Sequence, residues 1–501
     1  MKNIKKPFNK DKSIFKKIIQ FFFSLSNVKI IFLTYFIVTL LSSLLLISPY
    51  AHVEGVYVSY IDALFTAASA FSDTGLVTLV TSETWSMFGQ AIIAILILLG
   101  GIGIFAIKVY LFNFIFGQKL NIVTSNIVGQ ERSSKDASLS KKTIIVSVTL
   151  IIILIIFASF ILSFIFYFQA PDVGSSIKPD NNPYGNVSLS IRFAIFHSIS
   201  AINNAGFDII GGDSLAPYYS VYIIQFIFLS LFIVGGMGYP VIFDLYSCIQ
   251  HKIKKTPGKF SFSLFTKIST LSYLIISIVG LIFAFSFELS AKTSVDGNLV
   301  PLWLDDSKDT GSKVMAIFFN TFSTRNAGFS TVNLKQISQP TIILYSIMMF
   351  IGSAPSSTAG GIRTTTIALI CLSIWSKIRG LPSVRVFNRK LPKDTTETAG
   401  IVFSISIFFV LIVSFIGMSS IHGDLSPKFN YLDVLFEVSS AFGTTGLSTG
   451  LTSHLNDISK LFIVLTMFIG QLGISSTLLM WKGNKNKQYT IDYIEEDIAI
   501  G

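Results

Sequence analysis

The sequence has 501 residues, of which 51% are hydrophobic and only 13% are charged. Soluble domains carry about 25% charged residues, so this composition excludes a soluble fold and predicts a polytopic membrane protein. The net charge of +11 could indicate nucleic-acid binding, but most lysines and arginines lie in the two terminal segments and in alternate connections between apolar runs. This is the positive-inside pattern of cytoplasmic loops, and it predicts a lipid membrane and no nucleic acid as the partner.

Cysteine and histidine usage argues against a metal centre or a catalytic cluster. Cys248 and Cys371 both lie near predicted cytoplasmic helix ends, and the five histidines are scattered along the chain. They predict neither a disulfide framework nor a metal site. A membrane-embedded enzyme would also need acids, histidines or cysteines that converge at membrane depth. The sequence contains no such cluster, so we expect no enzyme and no organic cofactor.

The chain begins with a basic segment, residues 1–29, whose apolar positions share one helical face. This pattern predicts an amphipathic helix on the anionic cytoplasmic leaflet. The next apolar run, Ile30–Ile47, is long enough to span a bilayer. No convincing cleavage site follows it, which disfavours a cleaved signal peptide.

Four units follow, each with a first apolar helix, a shorter apolar segment and a second apolar helix. The predicted first helices are Ile30–Ile47, Thr143–Phe168, Ile268–Phe287 and Ile401–Ile421, and the second helices cover about Met87–Phe116, Val221–Tyr246, Ile342–Trp375 and Leu461–Trp481. The units occupy residues 30–117, 143–250, 267–378 and 400–482, and a tail spans residues 483–501. This pattern predicts an all-α fold of four parallel repeats around a pseudo-fourfold axis. It would have eight transmembrane helices and both termini in the cytoplasm.

The shorter segments share a motif that recurs about once per quarter of the chain, which indicates a repeated structural unit. Each has a Ser- and Ala-rich approach, a polar pair and a glycine; the copies are FTAASAFSDTGLVTL from Phe65, FHSISAINNAGFDII from Phe196, FFNTFSTRNAGFSTV from Phe318 and FEVSSAFGTTGLSTG from Phe436. A second glycine motif follows each of them, LGGIG at Leu99, VGGMG at Val234, IGSAP at Ile351 and IGQLG at Ile469. The alternative is that such glycines only permit close helix packing.

Each short segment is too short to cross the membrane. About a dozen helical residues at about 1.5 Å each reach halfway through a hydrocarbon core of about 30 Å. We therefore expect each segment to enter from outside and return, with non-helical backbone lining protein or water. Four helix C-terminal ends would then point at a common axis and favour a cation there.

The non-helical backbone after each short helix is the predicted ion-binding site, and we refer to these stretches as the motif segments. They are Ser72–Leu76, Asn203–Phe207, Arg325–Phe329 and Gly443–Leu447. Glycine permits backbone angles that turn successive carbonyls to one side, and a ring of carbonyls can replace the hydration shell of potassium. The predicted filter residues are Ser72, Asp73, Thr74, Gly75, Asn203, Asn204, Ala205, Gly206, Arg325, Asn326, Ala327, Gly328, Gly443, Thr444, Thr445 and Gly446. Two of them are charged, Asp73 and Arg325, and either face solvent at the extracellular mouth or form a functional pair within the membrane.

The second helix of the third unit contains several helix breakers in succession, in Gly352–Arg363. Proline and glycine cannot sustain a regular helix, so we predict two half-helices around an irregular loop on the cytoplasmic side of the filter. The residues assigned to this loop are Gly352, Pro355, Ser356, Ser357, Thr358, Ala359, Gly360, Gly361 and Arg363. A static kink that serves packing is the alternative.

These motifs resemble the Trk/Ktr/HKT family of potassium transporters, over Ile30–Trp481. The resemblance implies that Gly75, Gly206, Gly328 and Gly446 are the pore-loop glycines, and that Ser357–Thr365 contains a loop that gates the pore. Because it lacks an additional helix pair before the first repeat, the chain is more similar to the Ktr membrane subunit than to the larger Trk form. The family also implies a homodimer in the plasma membrane, with one pore per protomer. A cytoplasmic ring of nucleotide-binding subunits would regulate it.

Two residues depart from the family pattern. Gln471 stands where the family usually has an arginine, and Ser356 stands where it usually has a glycine. The family arginine is a positive barrier below the filter, so the resemblance makes Gln471 the pore-barrier position without its charge.

The sequence thus predicts a potassium-uptake subunit that carries potassium as its transported ion, with sodium as a further candidate. The alternatives are a sodium-permeable or weakly selective relative and, in another class, a broken-helix secondary carrier. Carriers commonly use inverted repeats, whereas the charge pattern makes all four repeats parallel. The tail sequence IDYIEEDIAI suits an amphipathic docking helix, or is disordered.

Overall fold

The computed structural model describes residues 27–104, 106, 107, 110, 141–172, 177, 181–291, 300–425, 428–474 and 477. The predicted N-terminal amphipathic helix and the C-terminal tail lie outside the described residues. So do the first basic connection and the last parts of the first and fourth second helices.

The regular secondary structure of the described chain is almost entirely helical. The helices are, in order, α1 (Asn27–Leu46), α2 (Tyr60–Phe71), α3 (Thr81–Thr84), α4 (Met87–Ile102), α5 (Lys141–Phe168), α6 (Val187–Ile202), α7 (Tyr222–Gly236), α8 (Tyr239–Ile253), α9 (Leu264–Ser290), α10 (Thr310–Ser323), α11 (Gln339–Phe350), α12 (Thr364–Ile378), α13 (Lys393–Met418), α14 (Tyr431–Gly443) and α15 (Asp457–Leu472). Two short strands, β1 (Arg385–Val386) and β2 (Arg389–Lys390), pair antiparallel between α12 and α13. Phe387 and Asn388 form their two-residue turn with positive φ, as a tight hairpin requires.

The first helix of each unit is a long apolar helix. These helices, α1, α5, α9 and α13, contain 20, 28, 27 and 26 residues, and at about 1.5 Å per residue each can cross the hydrocarbon core. By length and composition, the described residues contain four such helices, or five if the bent pair α7–α8 counts as one span. The chain is therefore a multi-pass helical membrane protein, and the number of eight spans stays a prediction.

The second helices are not continuous, and the sequence prediction was wrong on this point for the first, second and fourth units. Helix α4 ends before Gly103, α7 before Met237 and Gly238, and α15 before Gly473. These three glycines have φ values of 89°, 83° and 78°, which glycine adopts easily and which end a helical hydrogen-bond ladder. After Gly238 the axis of α8 turns by 104° from that of α7. The second glycine motif therefore marks a helix end in these units.

The second helix of the third unit is divided, as predicted. Helix α11 ends at Phe350 and α12 begins at Thr364. We call the intervening residues, Ile351–Arg363, the central loop. Its ends lie side by side, because Ile351 and Ile362 form a parallel bridge and the Ile362 N–H donates to the Phe350 carbonyl at 3.1 Å.

The four units close into a ring through their short helices. The second helix of each unit packs against the short helix of the next unit, in the pairs α4–α6, α7–α10, α11–α14 and, finally, α15–α2. The Lys460 ammonium of α15 and the Asp62 carboxylate of α2 form an ion pair at 2.8 Å across the last of these contacts. The first and last units are therefore neighbours, and the C-terminal ends of the short helices meet in the interior.

Candidate functional site

The structure brings the four motif glycines together at the centre of the ring. A Cβ atom added to Gly206 would lie 2.9 Å from the Gly328 Cα and 3.1 Å from the Thr445 carbonyl oxygen. A Cβ on any of the other three glycines would likewise strike the backbone of a neighbouring motif segment, Gly75 on Ala205, Gly328 on Thr445 and Gly446 on Thr74. No side chain fits at these positions, so only glycine allows the four segments to approach this closely.

Carbonyl oxygens occupy the space that these missing side chains leave. The four oxygens belong to the residues that immediately precede the glycines, Thr74, Ala205, Ala327 and Thr445. Each of them faces a glycine of an adjacent segment. Carbonyl oxygens from four parts of one chain therefore converge on the four motif glycines.

The backbone of all four segments has the same unusual conformation. In each segment φ is positive at the glycine and at the residue two positions before it, and it is not positive at the residue between them. The pairs are Asp73 and Gly75 (51° and 86°), Asn204 and Gly206 (56° and 68°), Asn326 and Gly328 (73° and 79°), and Thr444 and Gly446 (49° and 94°). Residues other than glycine rarely adopt such angles. Alternation of this kind rotates successive peptide planes so that their carbonyls share one side of the strand.

Each segment is fixed to the end of its own short helix by a backbone hydrogen bond to a serine carbonyl. The N–H groups of Thr74, Ala205, Ala327 and Thr445 donate to the carbonyls of Ser69, Ser200, Ser323 and Ser440 at 2.8 to 2.9 Å. Serine hydroxyls add to this in three units. Ser200 and Ser323 donate to the carbonyls of Phe207 and Phe329 at 2.7 and 2.5 Å, and Ser440 accepts the Gly446 N–H at 3.0 Å. The serines that recur before each glycine therefore orient the carbonyl-bearing backbone.

Sequence analysis missed a second set of supports on the outer side of the segments. In three units a buried polar side chain of the short helix accepts the N–H of the third residue after the glycine. Glu437 accepts from Thr449 at 2.9 Å, His197 from Ile209 at 3.3 Å and Asn320 from Thr331 at 3.3 Å. Glu437 is fully buried and also accepts the hydroxyls of Ser448 and Thr452 at 2.6 and 2.5 Å. A glutamate within an apolar membrane helix was the available signal.

The residue two positions before each glycine has a fully buried side chain. Three of these side chains contact the central loop. Thr358 donates its hydroxyl to the Asn204 side chain at 3.2 Å, Ser353 donates to Asn326 at 3.1 Å, and the Gly360 N–H donates to the Thr444 hydroxyl at 2.7 Å. The central loop is therefore hydrogen-bonded to the second, third and fourth motif segments.

The central loop itself is buried from Gly352 to Arg363. Its backbone bonds to the glycine motifs of two other second helices. Ala354 N–H donates to the Gly236 carbonyl at 3.2 Å, Tyr239 N–H to the Ser356 carbonyl at 3.0 Å, and Gly361 N–H to the Gly470 carbonyl at 3.2 Å. The loop therefore lies between the glycine motifs of the second and fourth units, beside the motif segments.

Ser356 has a φ of 61°, in the left-handed region that glycine adopts without a Cβ penalty. A serine here costs about 1 to 2 kcal/mol relative to glycine. The departure from the family glycine therefore adds local strain to the central loop and leaves its path intact.

The two charged motif residues are not solvated at an outer mouth, because both are fully buried. Arg325 donates from Nη1 to the Met348 carbonyl at 3.1 Å and from Nη2 to the Gly352 carbonyl at 2.7 Å, and also bonds the Ile351 carbonyl. These carbonyls terminate α11, where the helix dipole favours a cation. Arg325 therefore binds the carbonyls at the break in the second helix of the third unit.

Asp73 and Gln471 meet where the first and fourth units join. The Gln471 Nε2 donates to the Asp73 Oδ2 at 3.4 Å, and the Gln471 carbonyl accepts from Arg363 Nη2 at 3.0 Å. The position at which the family usually has arginine is therefore in contact with a motif-segment carboxylate and with the central loop.

The first glycine of the second motif also has a packing role. A Cβ on Gly100, Gly235 or Gly470 would strike the carbonyl oxygen of Phe71, Ile202 or Phe442, respectively, at the end of a short helix. A Cβ on Gly235 would also strike the Asn204 side chain. A substitution there would disturb a motif segment directly.

Comparison with known proteins gives a consistent result. Residues 14–488 match the family described as TrkH, cation transport protein. An uncharacterized cation transporter of Mycoplasma genitalium is 34% identical, with 88% of each chain covered. The Ktr system potassium uptake protein D of Bacillus subtilis is 33% identical, over 97% of this chain and 99% of the relative. The crystal structure of the potassium transporter TrkH from Vibrio parahaemolyticus superposes with a TM-score of 0.64 at 17% identity, over 91% of this chain and 85% of that one.

Proposed function

Because the chain belongs to the TrkH family of cation transport proteins, we propose that it is the ion-conducting membrane subunit of a potassium uptake system. The chain is a transport protein and not an enzyme, as the sequence predicted. The relative named as a potassium uptake protein covers almost the whole chain, which supports potassium as the transported ion.

The convergence of the Thr74, Ala205, Ala327 and Thr445 carbonyls carries this proposal. Potassium is favoured over sodium where several carbonyl oxygens of suitable number and field replace its water shell. In this chain the four motif segments act as the selectivity filter. The serine and glutamate hydrogen bonds behind them hold the carbonyls in place while the ion loses its water.

The central loop is the proposed gate. It is buried, it is hydrogen-bonded to three motif segments, and its two ends meet at Ile351 and Ile362. An irregular segment of this kind can change shape without breaking a continuous helix ladder. Its movement away from the filter would open the path to the cytoplasmic side.

The closed ring supports the proposed assembly. Because the four motif segments of one chain meet without a second copy, each protomer of the proposed homodimer has its own pore. The relative's name refers to a Ktr system, which supports a role beside other subunits. We propose a cytoplasmic ring of nucleotide-binding subunits as the regulator and the plasma membrane as the location.

Rubidium and sodium uptake into proteoliposomes that contain the purified chain tests the proposed function. We expect rubidium uptake that potassium inhibits strongly and sodium inhibits weakly. Equal competition by sodium would favour the sodium-permeable alternative. Strict dependence on a co-transported ion would favour the secondary carrier, and no uptake of either ion would refute the proposal.

Substitution of Gln471 by arginine should slow rubidium uptake. A fixed positive charge in a low-dielectric pore repels a permeating cation far more than it does in water, and we expect a decrease of about tenfold. The Asp73 carboxylate beside position 471 would offset part of this charge. The decrease should therefore be larger when Asp73→Asn is combined with Gln471→Arg than when Gln471→Arg acts alone.

Gln471→Met provides the matched control, because it changes the side chain without adding charge. Equal or faster rubidium uptake by Gln471→Arg would show that this side chain does not face the ion path.

A further inference from the structure

A cavity of about 50 Å³ lies beside the motif glycines, between the first and second units. It is lined by Gly75, Gly206 and Asp208, with Thr81 among the remaining residues. All of its lining residues follow or include the glycines, so it lies on the side of the filter that leads back towards the outside. A polar cavity that admits at least one water-sized probe needs about 10 to 15 Å³, so this one has room for a cation with part of its water.

Asp208 is the only acid among the residues two positions after the motif glycines. Its counterparts in the other units are Val77, Ser330 and Ser448. One carboxylate oxygen, Oδ1, accepts the N–H groups of Ile210 and Gly211 at 3.2 and 3.3 Å, which fixes the direction of the carboxyl group. Asp208 is partly exposed and takes part in no ion pair within the described ranges of the chain.

We propose that Asp208 and this cavity form an outer cation site, in which a monovalent cation rests and sheds part of its water before it enters the filter. A single negative charge in a cleft with low-dielectric walls raises the local concentration of cations. The site deepens the proposed function and depends on it, because it supplies the ion to the carbonyl ring. Divalent cations are its expected competitors, since a carboxylate is a preferred ligand for them.

The competing explanation is that Asp208 only stabilises the turn at Ile210 and Gly211. Asp208→Asn separates the two roles, because the asparagine amide oxygen can still accept both N–H groups while the charge is lost. Asp208→Glu restores the charge. Asp213→Asn is the matched control, since Asp213 is exposed and does not line the cavity.

The first test is rubidium uptake by the full-length chain in proteoliposomes. We expect the half-saturating concentration of external rubidium in Asp208→Asn to rise by about 3- to 10-fold, the effect of one nearby charge at an intermediate dielectric, with the maximal rate close to that of the wild type. Asp208→Glu should recover most of the affinity, and Asp213→Asn should behave as wild type. An unchanged half-saturating concentration in Asp208→Asn would overturn the outer site.

A second measurement does not depend on transport. Crystals of the protein soaked in thallium(I), a monovalent substitute for potassium, should show anomalous density beside Asp208 that is lost in Asp208→Asn. Absence of this density in the wild-type crystals would overturn the outer site even if uptake is selective. If the wild-type protein shows the density but transports no rubidium, the proposed function fails while the cation site stands.

Discussion

Gly328→Ser should give a folded protein that takes up rubidium but has lost most of its preference for potassium over sodium. A Cβ at this position would lie 2.7 Å from the Gly206 Cα and would strike the Thr445 carbonyl oxygen, one of the four that converge. The serine would also have to adopt a φ of 79°, which costs about 1 to 2 kcal/mol for a residue other than glycine. A shift of that carbonyl should lower discrimination by about tenfold, which corresponds to about 1.4 kcal/mol.

The measurement is competition of rubidium uptake by potassium and by sodium, with the oligomer mass as the check on folding. We expect similar though unequal losses on substitution of Gly75, Gly206 or Gly446. Gly450→Ser is the matched control, because Gly450 has a φ of 91° but nothing lies within 4 Å of an added Cβ. This variant imposes the same backbone strain without the collision. If Gly328→Ser kept wild-type potassium affinity and discrimination, the carbonyl ring would be a packing motif and no filter.

Removal of Ser356–Gly360 should raise rubidium uptake several-fold and weaken control by the proposed regulatory subunits. The deleted residues belong to the buried central loop, and the bridge between Ile351 and Ile362 would still hold the two ends of the shortened loop together. The deletion also removes the hydrogen bonds from Thr358 to Asn204 and from Gly360 to Thr444. A smaller loss of selectivity should therefore accompany the increased uptake.

Thr358→Val separates these two effects. Valine keeps the bulk of the side chain but cannot donate to Asn204, so this variant should lower selectivity without raising uptake. The measurements are uptake rate, sodium competition and the response to the partner subunits. A deletion variant with the wild-type rate and intact partner control would mean that the central loop is a static kink.

The parts of the fold that could be predicted from the sequence are those that depend on short-range sequence patterns. The four motif glycines, their serine-rich approaches and the break at Gly352–Arg363 are all visible as short-range composition, and the structure places them together. The ends of the other second helices were missed at Gly103, Gly238 and Gly473, because an isolated glycine in an apolar run is tolerated in a helix. Only its positive φ in the folded chain reveals a break.

The partners of the buried charges could not be predicted for a different reason. Arg325 donates to carbonyls that are free only because α11 ends near Ile351, and Glu437 accepts from residues that turn back after the fourth motif segment. Both sets of hydrogen-bond partners depend on the tertiary fold, and no spacing in the sequence indicates them. The contact between Asp73 and Gln471 is a stronger case, since these residues are 398 positions apart.

The ion pair between Lys460 and Asp62 has a consequence for biosynthesis, since it too joins positions 398 residues apart. Contacts of such separation form late, because the loss of chain entropy precedes any gain from the contact. Until α15 packs against α2, the first and fourth motif segments are not in contact. The ring of carbonyls is then open on one side. A nascent chain that stops before the fourth unit would therefore lack the complete ring, and with it the proposed means of selecting an ion.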